Sequence, residues 1–464
     1  MHPGPDRTTT ADATGASDLP PVPSRLPAVE QRAVMPGGFR AGALAAGIKP
    51  SGRPDLGVVA TTNRAAAVAA VFTRNQFAAA PIKVSRAHLN ASELGGGGQF
   101  GWADGIVATS GSANAATGAD GDADQAEICN ALAALLNTEP ERTLAMSTGV
   151  IGERLPVTRI KEGLAGLVPG LAATDADLEA VAAAIMTTDK RLKLATTKLE
   201  LQGPDGRPRT VTVSGIAKGV GMIHPRMATL LSIVLTDAGV DPATLFALLS
   251  PIVQRTWNQL SVDGDTSTND TVFLLASGEA GATVAVASHE AERLGDAIEA
   301  VARSLARQQA ADGEGATTLI TCQVSGAADD YDARAIARSV ISSSLLKAAI
   351  HGRDPNWGRV ASAAGNARLP DEQLLEAAGL HHTDAMPRAG RAPELDPDRL
   401  EIAIAGKLVF AGVPLPFDRA AVRAAMEAPE VLIRLDVGLG IGTGEAFGCD
   451  LTENYVIENA EYTT

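Results

Sequence analysis

The sequence predicts a mixed α/β or α+β protein in which helices cover layered sheets. Short Val-, Ile- and Ala-rich runs, bounded by glycine or polar residues, alternate with longer Ala/Leu-rich helical patterns. The alternation lacks the regular strand–helix–strand spacing of a doubly wound nucleotide-binding fold. Aromatic residues make up only 3% of the chain, so the core must be built from Ala, Val, Leu and Ile.

Nine runs are typical of buried strands, because each is a short apolar stretch that ends at a turn or polar residue. They are residues 57–61, 105–110, 143–148, 211–217, 230–236, 271–277, 319–326, 401–406 and 431–438. Helical spacing of apolar residues predicts helices over 124–137, 243–257, 288–311 and 331–350. Asp241 and Pro242 are a cap and a first-turn residue for the second of these, and Pro251 should kink it.

Charge and cysteine content exclude several classes of protein. The formal net charge is −15, which disfavours a nucleic-acid backbone or an anionic membrane as partner. Cys129, Cys322 and Cys449 lie far apart without CxxC spacing, so we expect no disulfide framework, no zinc site and a reducing cytoplasm. Residues 1–28 lack the features of a targeting peptide and are predicted to form a disordered tail.

The glycine-rich and histidine motifs do not predict a cofactor or metal site. In GVGMIH (219–224), His224 stands where a dinucleotide-binding motif needs its third glycine, and GLGIGTG (438–444) also misses the spacing. No HExxH pair is present, and the His381–His382 pair lies beside a predicted loop. Two polar segments, 261–273 and 354–359, are predicted to be a solvated loop and a packed turn, respectively.

Thr229 allows two interpretations. It stands between the lead-in GVGMIHPRMA and an apolar run, so it can be an ordinary hydroxyl residue that opens a strand. If the Ala228–Thr229 bond is cut, however, Thr229 carries a free α-amine with a pKa of about 7.7–8.0 beside its own hydroxyl. One residue then supplies both nucleophile and general base. Spacing alone favours the structural interpretation.

Nine blocks in order resemble the ArgJ family of arginine biosynthesis, also called ornithine acetyltransferase or glutamate N-acetyltransferase. The resemblance extends from about residue 38 to the C-terminus. The blocks are VFTRNQFAAAP (71–81), SGSANAATG (110–118), STGVIGERLP (147–156), AIMTTD (184–189), AKGVGMIHPRMATLL (217–231), DGDTSTNDT (263–271), DGEGAT (312–317), KAAIHGRDPNWGR (347–359) and CDLTENYVIENAEYTT (449–464).

The resemblance implies a precursor that cleaves itself between Ala228 and Thr229. The two chains, 29–228 after the tail and 229–464, would assemble as an α2β2 heterotetramer. Thr229 would carry the acetyl group from N2-acetyl-L-ornithine to L-glutamate by a ping-pong reaction, with no bound cofactor. Some members also use acetyl-CoA, and no sequence feature separates the two types. The implied fold is the helix–sheet–sheet–helix arrangement of the N-terminal-nucleophile-like ArgJ/DmpA fold, with Thr229 opening a central strand.

The resemblance also implies the site residues. Thr148 and Gly149 of the STG motif would stabilise the oxyanion of the tetrahedral intermediate. Lys218 would bind the α-carboxylate of the substrate, and Glu314 its amino end. The remaining substrate contacts implied are Thr187 or Thr188, which the sequence cannot tell apart, together with Thr229, Asn459 and the terminal Thr464.

The chain departs from the family pattern in four places. Ser112 replaces a usual Asn, residues 190–193 read KRLK in place of TxPK, Thr318 replaces a Lys, and Arg226 replaces a small or amide residue. Two other functions stay open. The first is an N-terminal-threonine amidohydrolase or aminopeptidase that releases the acyl group to water. The second is a binding protein whose chain is never cut.

Overall fold

The computed structural model describes residues 25–224 and 230–461. Its strands are β1 (Phe39–Leu44), β2 (Leu56–Thr61), β3 (Ala66–Phe72), β4 (Phe100–Ala103), β5 (Gly105–Ser112), β6 (Thr143–Val150), β7 (Lys193–Gln202), β8 (Pro208–Lys218), β9 (Leu231–Thr236), β10 (Gly239–Val240), β11 (Leu260–Ser261), β12 (Thr271–Ala276), β13 (Thr283–Val284), β14 (Leu319–Ala327), β15 (Glu401–Ile404), β16 (Lys407–Ala411), β17 (Val413–Pro414), β18 (Glu430–Asp436) and β19 (Gly442–Cys449).

The helices are interspersed with these strands, and five of them, α7 to α11, follow one another between β14 and β15. They are α1 (Ala80–Ser92), α2 (Gly118–Leu136), α3 (Val157–Leu167), α4 (Asp175–Ile185), α5 (Pro242–Arg255), α6 (His289–Ala311), α7 (Asp330–Ser342), α8 (Ser344–His351), α9 (Trp357–Gly365), α10 (Glu372–Ala377), α11 (His382–Arg388), α12 (Arg419–Ala425) and α13 (Glu453–Glu461). None of the helices in the described ranges is long and apolar enough to cross a bilayer.

Two stacked sheets form the first part of the molecule. A six-stranded sheet has the order β4-β3-β12-β9-β8-β7, and a four-stranded sheet has the order β1-β2-β5-β6. Their inner faces share one aliphatic core with α1 and α4. Helices α5 and α6 pack on the other face of the larger sheet, and α2 and α3 cover the outer face of the smaller one. The predicted layered α/β arrangement is confirmed.

A third sheet, of seven strands, is built from the C-terminal part of the chain. Its order is β11-β19-β14-β18-β15-β16-β17. Helices α7 and α9 pack in the core on one of its faces. Helix α6 contacts β14 and β19 as well as β7 and β8. The long helix α6 therefore joins the C-terminal sheet to the six-stranded sheet.

Strand β9 lies at the centre of the six-stranded sheet, two residues beyond Thr229. It runs parallel to β12 and antiparallel to β8, so it is paired on both sides. Ala228, Thr229 and Thr464 themselves lie outside the described residues, as does the boundary between the two implied chains. Residues 25–28 of the predicted tail are described, and the Ala28 carbonyl accepts a hydrogen bond from the Thr197 hydroxyl at 2.8 Å.

All nine strand predictions and three of the four helix predictions are confirmed, mostly with small shifts of the ends, although α2 begins at Gly118 and not at residue 124. Asp241 caps α5 by accepting a hydrogen bond from the Thr244 amide at 2.9 Å. The single helix predicted over 331–350 is wrong, because α7 ends at Ser342 and α8 begins at Ser344. Ser343 adopts an extended conformation and its hydroxyl accepts from the Leu346 amide, which satisfies a free N–H of the new helix.

Candidate active site

The first component of the site is the end of β6, where Thr148 and Gly149 lie. Strands β5 and β6 are parallel here, and Gly149 pairs with Gly111. A Cβ atom at Gly149 would lie only 2.3 Å from the carbonyl carbon of Gly111, and the φ angle of Gly149 is 130°. Only glycine combines that backbone angle with that close approach. The glycine of the STG motif therefore permits the close approach of β5 and β6 at this strand end.

Asn269 holds this strand end in place. Its side-chain amide donates to the carbonyl of Ser147 at 2.8 Å and to that of Ala113 at 2.6 Å. Two residues later, the amide of Thr271 donates to the carbonyl of Leu230 at 2.8 Å. The segment 263–271 thus connects the end of β6 to the residue that follows Thr229.

The prediction that residues 261–273 form a solvated loop is therefore wrong for most of that segment. Thr268, Asn269 and Asp270 are 8%, 5% and 1% exposed, respectively. Their polar composition resembles that of a surface turn, but the side chains are buried. Asn269 donates to backbone carbonyls of neighbouring elements, and the Thr268 hydroxyl donates to the Asn269 side-chain oxygen at 2.6 Å. Asn269 is a site residue that the sequence did not single out.

Lys218 supplies the positive charge of the site. It is the last residue of β8 and pairs across the sheet with Leu231, two residues after Thr229. Its Nζ donates to the Thr187 hydroxyl oxygen at 3.4 Å. Burial lowers the pKa of Lys218, while the carboxylate of Asp189 acts in the opposite direction.

Glu314 supplies the negative charge. Its carboxylate accepts from the Thr188 hydroxyl at 2.8 Å and from the Asn459 side-chain amide at 3.0 Å. A Cβ atom at Gly221 would lie 2.1 Å from one of its oxygens, so glycine at that position makes room for the carboxylate. Lys218 and Glu314 are called the charged pair below. Thr187 contacts Lys218 and Thr188 contacts Glu314, so each of the two adjacent threonines is a partner of one member of the pair.

The C-terminal helix α13 packs directly against the turn that carries Glu314. The Glu458 carboxylate accepts from the Gly315 amide at 2.8 Å, and the Thr452 hydroxyl donates to the Gly315 carbonyl at 2.7 Å. A Cβ atom at Gly315 would lie 2.2 Å from the Tyr455 amide nitrogen, so glycine permits this contact. Helix α13 therefore presents Asn459 to Glu314.

A buried ionic network of Lys193, Asp189 and Asp312 adjoins the charged pair, because the carboxylate of Asp189 also acts on Lys218. Lys193 Nζ lies 2.6 Å from an Asp189 oxygen and 2.5 Å from an Asp312 oxygen. Burial opposes ionisation of Asp189, but Lys193, Lys218 and a backbone N–H outweigh it, and its pKa is lowered. The sequence analysis missed this network. Two features of the sequence could have revealed it. Both aspartates lie in blocks that resemble the family, and the segment KRLK keeps a lysine at position 193.

Hydrogen bonds to two aspartates fix the backbone of residues 219–223, which precede the Ala228–Thr229 bond. The amide of Gly219 donates to Asp189 at 3.0 Å, and the φ angle of Gly219 is 135°. Asp263 accepts from the amides of Met222 and Ile223 at 2.5 and 2.8 Å. Gly219 therefore provides a backbone conformation, and Gly221 provides space for the Glu314 carboxylate.

The structure brings together five of the predicted site residues in one chain of contacts and places two more at an adjoining strand end. The five are Thr187, Thr188, Lys218, Glu314 and Asn459, and the two are Thr148 and Gly149. A cation and a carboxylate that contact two adjacent threonines suit a small molecule that carries both an acidic and a basic group. The fold is that of a layered α/β enzyme, and the charged residues form a candidate site for a small molecule.

The chain belongs to the ArgJ family, whose sequence profile matches residues 40–464. It is 42% identical over 447 residues to the arginine biosynthesis bifunctional protein ArgJ of Synechocystis sp., covering 94% of this chain and 98% of the relative. The protein of the same name from Thermus thermophilus is 43% identical over 433 residues, covering 93% and 99%. The ornithine acetyltransferase of Mycobacterium tuberculosis, solved with ornithine, is 35% identical and covers 43% of this chain and 99% of that chain, with a TM-score of 0.37.

Proposed function

We propose that this protein is a self-cleaving acetyltransferase of arginine biosynthesis that moves the acetyl group of N2-acetyl-L-ornithine to L-glutamate. The observation that carries the proposal is the charged pair of Lys218 and Glu314. Lys218 lies at the end of β8, opposite the strand that follows Thr229, and Glu314 lies in the turn after α6. Donor and acceptor share an α-carboxylate and an α-nitrogen. One pair of fixed charges can therefore orient both of them in turn.

Self-cleavage begins with attack of the Thr229 hydroxyl on the Ala228 carbonyl carbon. The peptide C–N bond breaks, the amine takes a proton, and an ester joins Ala228 to the Thr229 oxygen. Water then hydrolyses that ester, leaving a carboxylate on Ala228 and a free α-amine on Thr229. This amine lies next to the hydroxyl and accepts its proton in the later acyl transfers.

Acetyl transfer takes place in two steps of the same kind. The Thr229 hydroxyl attacks the acetamide carbonyl of acetylornithine, and ornithine leaves with the proton delivered to its α-nitrogen. The α-amine of glutamate then attacks the acetyl ester and releases N-acetylglutamate. Each step passes through an oxyanion, for which Thr148 and Gly149 are the proposed donors. Removal of one such donor typically costs about 2.7–4 kcal/mol of transition-state stabilisation.

The proposal also covers the assembly of the two fragments, a second acetyl donor and the cellular location of the reaction. The fragments 29–228 and 229–464 stay associated as an α2β2 heterotetramer, and acetyl-CoA serves as a second acetyl donor for glutamate. The reaction takes place in the reducing cytoplasm, in keeping with three cysteines that are all buried and free among the described residues.

The decisive experiment compares the purified wild-type protein with Thr229→Ala on a denaturing gel and by intact mass. The wild type should run as two fragments that divide between Ala228 and Thr229, and the variant as one inactive chain. A wild-type chain that stays intact and transfers acetyl groups would refute the mechanism. Measuring N-acetylglutamate against free acetate separates the transferase from the amidohydrolase alternative, because the hydrolase would release acetate even when glutamate is saturating.

A further inference from the structure

His351, the last residue of α8, contacts carboxylates of two different elements. Its Nδ1 lies 3.2 Å from an oxygen of Asp450, which follows β19, and its Nε2 lies 3.2 Å from an oxygen of Glu453, the first residue of α13. A histidine donates from both ring nitrogens only as the imidazolium, so filling both contacts requires the protonated ring. The position favours the same charge, because the carbonyl end of a helix attracts cations.

Asp450 is the buried partner of His351, and it fixes the turn that follows Glu314. Its side chain is fully buried and accepts from the Thr317 amide at 2.8 Å, the Thr317 hydroxyl at 2.6 Å and the Thr318 amide at 2.9 Å. These three donors are neutral. Among the residues that the structure describes, His351 is the one cation at ion-pair distance from Asp450. Because a buried carboxylate needs a compensating charge, His351 stabilises the anion that holds the turn.

Glu453 is the exposed partner of His351, and its contact acts on α13. The Glu453 side chain is 85% exposed, so solvent screens this ion pair and it contributes less than the contact with Asp450. The same helix holds the turn from its other side, where Glu458 and Thr452 bond the backbone of Gly315. The turn is therefore held by Asp450 and by α13, and His351 contacts both supports.

We propose that His351 is a positioning residue for the acidic half of the candidate active site. By bonding Asp450 and Glu453 together, it fixes the turn relative to α13 and so keeps the Glu314 carboxylate within 3.0 Å of the Asn459 amide. The proposal rests on the proposed function, in which Glu314 binds the amino end of the substrate. His351 acts through its two carboxylate partners, so its loss weakens substrate binding and leaves the chemical step intact.

The test compares three variants, with N2-acetyl-L-ornithine as donor and L-glutamate as acceptor. His351→Gln is neutral and donates from one nitrogen only. His351→Arg keeps a cation with enough donors for both carboxylates. His382→Gln is the matched control, because His382 also contacts two carboxylates, at 2.8 and 2.6 Å, but lies in α11, which packs against α10.

The expected results separate binding from chemistry. His351→Gln should raise the KM for acetylornithine about fivefold and leave kcat within about twofold, because a half-exposed charged hydrogen bond is lost from the support of the binding site. His351→Arg should bring KM back to within about twofold of the wild type, and the control should match the wild type. Hydrogen exchange gives a second readout that needs no activity, since the amides of α13 should exchange about fivefold faster in His351→Gln than in the control.

Glu453→Gln keeps the proposal testable if His351→Gln does not fold. It removes only the exposed contact, so the amides of α13 should exchange about twofold faster while KM rises less than in His351→Gln. Unchanged exchange in this variant would overturn the proposal.

Three other outcomes would also overturn the proposal. In the first, His351→Gln and His382→Gln give the same KM and the same exchange of α13. In the second, kcat falls while KM is unchanged. In the third, His351→Arg restores neither KM nor exchange, since His351 would then act by packing alone. If the wild-type protein transfers no acetyl group, the proposed function fails, and the exchange of α13 alone decides whether His351 holds that helix in place.

Discussion

Substitution of Lys193 by methionine tests the role of the buried ionic network. The three side chains of Lys193, Asp189 and Asp312 are 1%, 0% and 4% exposed, respectively, so solvent screens their interaction very little. Methionine fills much of the same volume without the charge. The change therefore leaves the buried carboxylates of Asp189 and Asp312 without the cation that they share.

The expected loss in the free energy of unfolding follows from that geometry. Removing one partner of a buried ion pair costs about 3–5 kcal/mol. Asp189 keeps hydrogen bonds from two backbone amides, and Asp312 keeps those from residues 190 and 191, so neither is stripped of all donors. We expect a loss near the middle of the range, about 4 kcal/mol, which is about a thousandfold in the unfolding equilibrium. Adding Asp312→Asn removes one stranded charge and should restore about 2 kcal/mol.

The assay is urea unfolding in the Thr229→Ala background, because a chain that cannot cleave itself unfolds and refolds as one molecule. Fluorescence of Trp257, which is fully buried in the core beside α6, reports the transition. Lys198→Met, an exposed position on the same strand, is the control and should lie within about 0.5 kcal/mol of the parent. The reasoning is wrong if Lys193→Met stays within 1 kcal/mol of this control, or if Asp312→Asn adds to the loss.

Three further changes test two residues of the site and one partly buried lysine, Lys49, outside it. Gly221→Ala should lower kcat/KM at least about tenfold in steady-state kinetics, because the added Cβ meets the Glu314 carboxylate. Gly166→Ala is the control and should keep kcat/KM within about twofold, because the space around Gly166 is open. Asn269→Ala should lower kcat about tenfold or more with little effect on KM, since it frees the strand end proposed to hold the oxyanion; a KM effect alone would contradict this. Burial lowers the pKa of Lys49 to about 8 from 10.5, so between those values the unfolded chain binds more protons and stability rises with pH. In the uncleaved background, Lys49→Met should show a smaller rise in urea midpoint from pH 7.5 to 9.5 than the parent, and equal slopes would refute the assignment.

The strands were predictable because a buried strand leaves a local signature. Runs such as 230–236 and 271–277 are predominantly apolar, and in the structure they pair side by side at the centre of a sheet, buried on both faces. The break at Ser343 was not predictable in the same way. Helical spacing of apolar residues continues through it, and only the capping geometry shows that a new helix begins.

The site was predictable residue by residue only where short motifs matched a family. The supporting network depends on pairs that are distant in sequence, such as Lys193 with Asp312, separated by 119 positions, and Asn269 with Ser147, separated by 122. These pairs are created by the packing of α6 and of the sheets against one another. A stretch of Asp, Thr, Ser and Asn has the same local composition whether it faces water or a strand end, so its burial is a property of the tertiary fold alone.

The contact between α13 and the Glu314 turn has a consequence for the order in which the site is assembled. Asn459, Glu458 and Thr452 follow every strand that the structure describes, yet they complete and support the acidic half of the site. A nascent chain in which α13 has not yet been made already holds the described sheets and Lys218, but Glu314 lacks the Asn459 amide. Synthesis from the N-terminus therefore completes the basic half of the site before the acidic half.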